Sequence, residues 1–309
     1  MNLGELTRHE LRARLGGAGL CVRTGPFNFR IRSPIESIAG GLALLYADVP
    51  LVDEAQFIDF AVTLARQPGL RRWLKPQVRF FYDGESPFEP LPLDHAYPLL
   101  EWAMNWCIST QAHQYLLLHA AVIERNGLAV ILPAPPGSGK STLCAGLILR
   151  GWRLLSDELA LISPSDLSIT PLARPVSLKN ESLDVIRRFE PAAILNRETR
   201  DTNKGTVTHM RVPKWHLDRL DQVAQPAWVI FPKYVAGAPA TLKPRDKADS
   251  MLDLARNGFN YSMLGRVGFD TLGAVIDQCD CHEFSYSQLT DAVEVFDRLA
   301  QARRGKEAA

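Results

Sequence analysis

A short glycine-rich segment between two apolar runs constrains the fold of this chain most strongly. Residues 128–133 are apolar, which is typical of a buried strand, and residues 143–149 are again mostly apolar. Between them the chain reads Gly-Ser-Gly-Lys-Ser-Thr over residues 137–142. A strand, a glycine-rich loop and a helix in this order form a phosphate-binding loop. The glycines let backbone N–H groups approach phosphate oxygens, and the new helix offers further free donors.

This pattern predicts a binding site for the phosphates of ATP. Lys140 is expected to contact the β- and γ-phosphates, and the Ser141 hydroxyl to bind Mg²⁺. The expected nucleotide-binding residues are Pro136, Gly137, Ser138, Gly139, Lys140, Ser141 and Thr142. The match has one departure, because Ala134 stands where such loops usually have their first glycine.

A predicted hairpin places a histidine beside the predicted phosphate-binding loop. Asn126-Gly127 separates two apolar runs and favours a two-residue turn. With these two residues at the centre of the turn, the strand register places His119 opposite Ala134, at the start of the loop. We therefore treat His119 as a candidate site residue, the alternative being an ordinary core histidine.

Two adjacent acids follow the next apolar run. Residues 153–155 read as a short strand, and Ser156, Asp157 and Glu158 come directly after it. If this strand runs parallel to residues 128–133, both strands end at the same edge of the sheet, where ligands bind. Asp157 then either accepts the proton of an attacking hydroxyl or shares the metal, and Glu158 binds Mg²⁺. The alternative is that both acids are surface turn residues.

Composition excludes some classes of partner. The chain has 35 basic and 34 acidic residues and a net charge of +1, which gives no reason to expect nucleic acid or an anionic membrane. No apolar run approaches the roughly 18 residues of a membrane span, and the N-terminus lacks a signal-peptide pattern. The five cysteines form no framework, and Cys279-Asp280-Cys281-His282 lacks the second pair of a zinc site. We expect reduced thiols and a cytoplasmic protein.

The chain divides into two expected domains. Residues 1–112 are an expected α+β domain that is a candidate for docking a substrate or partner, and residues 113–309 are the expected phosphate-loop domain. Residues 196–206 are polar and predict a mobile loop, a candidate substrate lid. Residues 227–231 predict a buried strand that ends at Pro232. The sequence leaves a homo-oligomer open.

Three segments together resemble a known family. The strand that carries His119, the loop that carries Lys140 and the strand that carries the acids resemble the HPr kinase/phosphorylase family over residues 115–162. The kinase core of that family is related to phosphoenolpyruvate carboxykinase. Residues 174–182 (Arg-Pro-Val-Ser-Leu-Lys-Asn-Glu-Ser) are similar to the HPr-kinase-related branch found beside exosortase systems. The resemblance implies an α/β fold with a P-loop kinase core of this type, a smaller N-terminal domain, and a serine kinase that uses ATP and Mg²⁺.

The chain departs from that family after the acids. The family carries a metal-binding glutamate and an Arg-Gly pair there, whereas this chain aligns Ser177, Lys179 and Asn180. Neither a phosphorylase half-reaction nor HPr as the substrate therefore follows from the resemblance. Lys179 is the first candidate for neutralising the transferred phosphoryl group, ahead of Arg174 and Arg211.

These observations favour a kinase that transfers the γ-phosphate of ATP to a hydroxyl, either on a protein serine or on a small molecule. His119 would orient Asp157 or contact the γ-phosphate. The alternative is a regulatory module that binds ATP, engages a partner and transfers no phosphate.

Overall fold

The computed structural model describes residues 1–53, 56–69, 74–135 and 137–307, with side chains as far as residue 303. The α-helices are α1 (Arg8–Gly16), α2 (Glu36–Leu45), α3 (Ala96–Gln111), α4 (Lys140–Ile148), α5 (Ser182–Phe189), α6 (Lys214–Leu217), α7 (Lys247–Arg256), α8 (Tyr261–Leu264), α9 (Arg266–Gln278) and α10 (Leu289–Glu307). The strands are β1 (Leu20–Thr24), β2 (Phe27–Arg32), β3 (Phe60–Arg66), β4 (Gln77–Tyr82), β5 (Leu91–Pro92), β6 (Leu116–Arg125), β7 (Leu128–Pro133), β8 (Arg153–Ser156), β9 (Leu159–Ile162), β10 (Ile169–Thr170), β11 (Val176–Lys179), β12 (Thr199–Thr202), β13 (Gly205–Met210), β14 (Gln225–Tyr234), β15 (Thr241–Pro244) and β16 (Asp280–Tyr286). The protein is mixed α/β, as the sequence predicts.

The chain forms two compact units, each built from several segments. The first contains Met1–Ile108, Arg174–Leu183 and Ala193–Leu220, and the remaining residues form the second. The sequence analysis expected a single boundary between residues 112 and 113. The structure instead groups two later segments with the N-terminal residues.

The first unit contains two sheets. Strands β1 to β5 form one sheet in chain order, and β11, β13 and β12 form a small antiparallel one. The β1–β2 hairpin pairs Thr24 with Phe27 around a two-residue turn. Phe27, Phe29 and Phe60 pack with ring centroids 4.8–5.5 Å apart, so β2 and β3 share an aromatic core.

A buried carboxylate links α3 to the returning segment of this unit. The Tyr97 hydroxyl donates to Oε1 of Glu101 at 2.7 Å, and the Tyr46 hydroxyl donates to Oε2 at 3.1 Å. The guanidinium of Arg174 lies 3.3 Å from the same Oε2 and donates to the Glu101 backbone carbonyl at 2.9 Å. A buried charge needs such partners, and Arg174 supplies the opposite charge. The network explains why the segment that begins at Arg174 belongs to the first unit.

Residues 199–210 correct one sequence expectation. They form the antiparallel strands β12 and β13, whereas the sequence predicted a mobile loop over residues 196–206. Gly205 has φ +78°, which suits a tight turn. The Asn180 side chain also accepts a hydrogen bond from Thr206 N–H at 3.0 Å. These polar residues favour turns, but the pairing of β13 with β11 stabilises the segment as strands.

The second unit is organised around one mixed sheet. Its strand order is β10-β9-β6-β7-β14-β16-β15, with β8 also paired to β6. β6 and β7 form an antiparallel hairpin, and β14 lies parallel to both β7 and β16. Alternate residues of β6 (Leu116, Leu118, Ala120 and Val122) point into a core cluster with residues of α7 and α9. This packing fixes the face on which the remaining β6 side chains lie.

Within the part of the chain that the structure describes, no helix combines the length and the apolar character that crossing a membrane requires. All five cysteines are buried free thiols.

Candidate functional site

The predicted phosphate loop (residues 134–139, of which all but Pro136 are described) connects β7 to α4. β7 ends at Pro133 and α4 begins at Lys140. Gly137 and Gly139 have φ values of +86° and +87°, which glycine adopts without strain. The loop therefore delivers the first turn of α4, whose N–H groups lack helical partners, to the carboxyl end of β7. Pro136, also predicted to contact the nucleotide, lies outside the described residues.

Ala134 fits its position in this loop. It is buried, with 2% of its surface exposed. Ala134 is not among the described residues that have a positive φ. Its backbone therefore has a conformation that a Cβ atom tolerates. An alanine in place of the usual first glycine creates no strain here and adds a buried methyl group.

Two residues that sequence reasoning missed hold the phosphate loop from the side of β14 and β16. The backbone N–H of Tyr234 donates to the Ser138 carbonyl oxygen at 2.9 Å. The Tyr286 hydroxyl donates to the Gly139 carbonyl oxygen, also at 2.9 Å. The carbonyls of the loop are thus tied to neighbouring strands.

The strand that carries Tyr234 continues past a proline. The sequence predicted that it ends at Pro232, but β14 runs to Tyr234. β14 pairs with β7 only as far as Val229. Residues 232 and 234 have the same orientation in the strand, and the N–H of Tyr234 points to the phosphate loop. Pro232 has no N–H to donate. At its position β14 no longer pairs with β7, so no hydrogen bond between these two strands is lost.

The hairpin register brings His119 to the start of the phosphate loop. β6 pairs Ala120 with Pro133, as the Asn126-Gly127 turn predicts. His119 and Ala134 are the next residues beyond this last pair. His119 is half-buried and has the opposite strand orientation to Ala120, so its side chain lies on the other face from the α7–α9 core cluster.

A second segment completes the β6 edge beyond the end of β7. His119 N–H donates to the Asn257 carbonyl at 2.7 Å, and Phe259 N–H donates to the Leu117 carbonyl at 2.9 Å. The Asn260 side chain accepts from Leu117 N–H at 2.9 Å. The Phe259 ring lies with its centroid 5.8 Å from that of His119. No local signal in the sequence indicated this segment as a neighbour of His119.

The acid pair, Asp157 and Glu158, directly follows the end of β8 and separates it from β9. β8 and β9 both pair antiparallel with β6, and the two acids lie between them. The N–H of Leu159 donates to the Ser156 hydroxyl at 3.0 Å and links the two strands. β8 runs in the direction of β7, which is the condition on which the sequence argument depended, because β6 is antiparallel to both. The chain continues as β9 because residues 159–162 are apolar and fill the core.

The acid pair lies level with the phosphate loop. Ser156 and Leu159 pair with Val122 and His119, so the acid pair is opposite the part of β6 that meets Pro133. β6 separates the acid pair from β7, which corresponds to roughly 10 Å between backbones at the usual strand spacing. Side chains from both sides span such a gap.

Lys140 and Asp157 both act electrostatically on the buried Cys144 thiol. Lys140 and Asp157 are 8% and 7% exposed. Burial raises the pKa of the Cys144 thiol well above its ordinary value, the Asp157 carboxylate raises it further, and the Lys140 ammonium lowers it. Both charges therefore act on one buried thiol, one helical turn along α4 from Lys140. The predicted phosphate-binding cation and the predicted base therefore lie within electrostatic range of the same thiol.

The candidate metal ligands are all oxygen donors. Ser141 opens α4 and is half-buried, and Glu158 is half-buried beside Asp157. Among the described residues, no group of three or more His, Cys, Asp or Glu side chains is arranged to hold a metal ion. Mg²⁺ that arrives with a nucleotide typically uses one or two carboxylates together with phosphate oxygens and water. The donor set of Ser141, Asp157 and Glu158 fits that chemistry.

The remaining predicted cations belong to the first unit. Lys179 and Ser177 are half-buried on β11, where they pair with Val207 and His209. Arg174 forms the buried pair with Glu101, and Arg211 pairs with Asp48. Of the three candidates for neutralising a transferred group, Arg174 and Arg211 thus have carboxylate partners within their own unit.

A family profile and solved structures each match part of this chain. The sequence profile of a family described as ScmC, SynChlorMet cassette protein ScmC, matches residues 99–170. Among solved structures, the HPr(Ser) kinase/phosphatase from Coxiella burnetii is similar over 62% of this chain and 99% of that chain, at 15% identity and a TM-score of 0.30. No curated protein matches the chain in sequence. The profile match covers the stretch that contains His119, Lys140 and Asp157.

Proposed function

We propose that this protein is a Mg²⁺-ATP-dependent phosphotransferase that transfers the γ-phosphate to a hydroxyl, on a protein serine or on a small molecule. The observation that supports the proposal is the register of β6 with β7, β8 and β9, in which the acid pair lies level with the end of β7 and the start of the phosphate loop. A cation at the start of the helix that follows a glycine-rich loop and a carboxylate near that loop are recurring parts of phosphoryl-transfer sites.

Each residue has a role in this proposal. Backbone N–H groups of residues 137–141 bind the β-phosphate, and Lys140 binds the β- and γ-phosphate oxygens. Asp157 accepts the proton of the attacking hydroxyl, whose oxygen bonds to the γ-phosphorus as the bond to the bridging oxygen breaks and ADP leaves. His119 orients Asp157 or contacts the γ-phosphate.

The oxygen donors Ser141, Asp157 and Glu158 would hold Mg²⁺, with Glu158 acting partly through water. When bound, the ion supplies charge neutralisation at the phosphate oxygens. The burial of Lys140 and Asp157 strengthens their electrostatic effect, because water screens them less.

One observation favours a second function, a regulatory module that binds ATP and transfers no phosphate. β11 carries Ser177 and Lys179, with no acid at the position where kinases of the resembled family have a metal-binding glutamate. Such a module would use the same loop and the same acids for binding alone.

The test is a labelling experiment with γ-labelled ATP, Mg²⁺ and either a cell extract or free serine. We expect label in an acceptor with the wild-type chain and none with Lys140→Ala. Asp157→Asn should keep ATP binding but lower the transfer rate by about 10²- to 10⁴-fold. Lys243→Ala, which removes an exposed lysine on β15, is the matched control and should transfer normally. ATP binding without any labelled acceptor would favour the regulatory module. A near-normal transfer rate for Asp157→Asn would exclude Asp157 as the base.

A further inference from the structure

The phosphate loop has two chemically different flanks. In the sheet, β7 lies between β6 and β14. On the β6 side lies the acid pair, which suits a metal ion and the reacting end of a triphosphate. On the β14 side lie Tyr234 and Tyr286, at the ends of two parallel strands. The carboxyl ends of parallel strands are where ligands of such sheets bind.

Tyr234 presents an open aromatic ring on this second flank. Its residue is 51% exposed, and its neighbours Lys233 and Val235 are also exposed. A Cβ atom added to Gly139 would lie 3.0 Å from the Tyr234 Cβ, so the side chain starts directly against the phosphate loop.

The backbone that carries this ring is held on both sides. Tyr234 N–H donates to the Ser138 carbonyl, and Val235 N–H donates to the Tyr286 carbonyl, both at 2.9 Å. The Tyr286 ring packs edge-on against that of Tyr234, with centroids 6.0 Å apart. Tyr286 is itself buried, and the Phe284 ring stacks on it at 5.5 Å. The Tyr234 ring is therefore supported from one side and open on the other.

We propose that Tyr234 is the stacking platform for the base of the bound nucleotide, with the triphosphate running from this flank across the phosphate loop towards the acid pair. This inference rests on the proposed ATP site and adds the residue that distinguishes a nucleotide from a bare polyphosphate. Stacking of a base on an aromatic side chain contributes about 1–3 kcal/mol, which corresponds to roughly 5- to 150-fold in affinity.

The test compares Mg²⁺-ATP with Mg²⁺-tripolyphosphate, which has the phosphates but no base. Binding of both is measured by calorimetry on the full chain for wild type, Tyr234→Ala and Tyr234→Phe. We expect Tyr234→Ala to weaken ATP binding at least about fivefold and to leave tripolyphosphate binding unchanged. Tyr234→Phe, which keeps the ring, should bind both ligands as the wild type does.

Two controls keep the result interpretable. Phe269→Ala removes an aromatic residue of similar exposure (56%) on α9 and should change neither affinity. Tyr234→Leu keeps bulk against Gly139 but has no π-system, so it should bind ATP as weakly as the alanine variant even if that variant is less stable.

The outcomes separate this inference from the proposed function. Unchanged ATP affinity in Tyr234→Ala and Tyr234→Leu would overturn the stacking role, and so would an equal loss for ATP and tripolyphosphate, which would mean that the ring only supports the loop. Wild-type binding of tripolyphosphate as tightly as ATP would overturn the stacking role alone. A wild-type chain that binds neither ligand would overturn both proposals.

Discussion

The hydroxyl of Tyr286 donates a hydrogen bond of 2.9 Å to the carbonyl oxygen of Gly139. Tyr286 is the last residue of β16, and Gly139 is the residue before the first turn of α4. Burial raises the pKa of the Tyr286 phenol, so the hydroxyl stays protonated and remains a donor at neutral pH. A strand distant in sequence thereby holds the backbone of the phosphate loop, which lowers the entropy lost when a ligand binds there.

Tyr286→Phe should loosen this loop. Losing a hydrogen bond of about 0.5–1.5 kcal/mol is expected to weaken Mg²⁺-ATP binding by about two- to tenfold. Tyr261→Phe, at a half-buried tyrosine on α8, is the control and should bind normally. Calorimetric affinities for the three chains test this prediction. Equal affinities would show that the loop keeps its conformation without the bond.

Three glycine-to-alanine variants should change the free energy of unfolding by different amounts, in a predictable order. Gly139→Ala combines a positive φ with a Cβ 2.6 Å from the Tyr286 hydroxyl, whereas Gly137→Ala has a similar φ in open space. We expect Gly137→Ala to lose about 1–2 kcal/mol and Gly139→Ala more. Gly40→Ala, in α2 with open space around it, should gain up to about 1 kcal/mol. Urea unfolding measures all three. A smaller loss for Gly139→Ala than for Gly137→Ala would contradict the predicted contact.

Ala134→Gly restores the usual glycine of a phosphate loop but should not improve the site. Ala134 is buried and is not among the described residues with positive φ. A glycine would therefore remove a buried methyl group and add freedom to the unfolded chain, at a cost of about 1 kcal/mol. We expect lower stability in urea and no gain in ATP affinity. Tighter ATP binding by this variant would show that the alanine does strain the loop.

Glu101→Ala should be strongly destabilising. It removes the carboxylate that accepts from Tyr46 and Tyr97 and leaves the Arg174 charge buried without its partner. Removing one partner of a buried ion pair typically costs about 3–5 kcal/mol. Glu36→Ala is the matched control, because Glu36 pairs with Arg12 at an exposed position and should cost less than about 1 kcal/mol. Similar losses in urea unfolding would mean that the buried pair adds little.

The free energy of unfolding should fall at alkaline pH. Burial raises the pKa of Cys107 to about 12, and burial and the nearby Glu101 carboxylate raise the pKa values of Tyr46 and Tyr97 well above the usual range. Above the unfolded pKa values, near 8.5 for Cys and 10 for Tyr, the unfolded chain loses protons that the folded chain keeps. Stability then falls by about 1.4 kcal/mol per pH unit for each such group.

Urea unfolding at half-unit steps from pH 8 to 11 measures this dependence. In Cys107→Ala, the decline between about pH 8.5 and 10 should be shallower than in the wild type, because one of the buried thiols that titrate there in the unfolded chain is removed. Identical slopes would exclude the buried thiol as a cause.

Much of the candidate site was predictable because its signals are local. The Asn126-Gly127 turn gave the β6–β7 register, and with it the position of His119 beside the phosphate loop. β8 has the parallel direction on which the sequence argument at the acid pair depended, but the pairing of both β8 and β9 with β6 was not anticipated. The assigned roles of Lys140, Asp157, Glu158 and Lys179 stay predictions.

The sequence alone determined the features that depend on neighbours in the chain: the glycine-rich turn, the start of α4, the hairpin register and the order of the acids. Only the tertiary structure decided that Tyr234 and Tyr286 hold the phosphate loop and that residues 174–183 and 193–220 join the first unit. The physical reason is that backbone turn preferences and apolar periodicity act over a few residues. The pairing of β14 with β7 and β16, and the burial of Arg174 against Glu101, depend instead on how distant segments share a core.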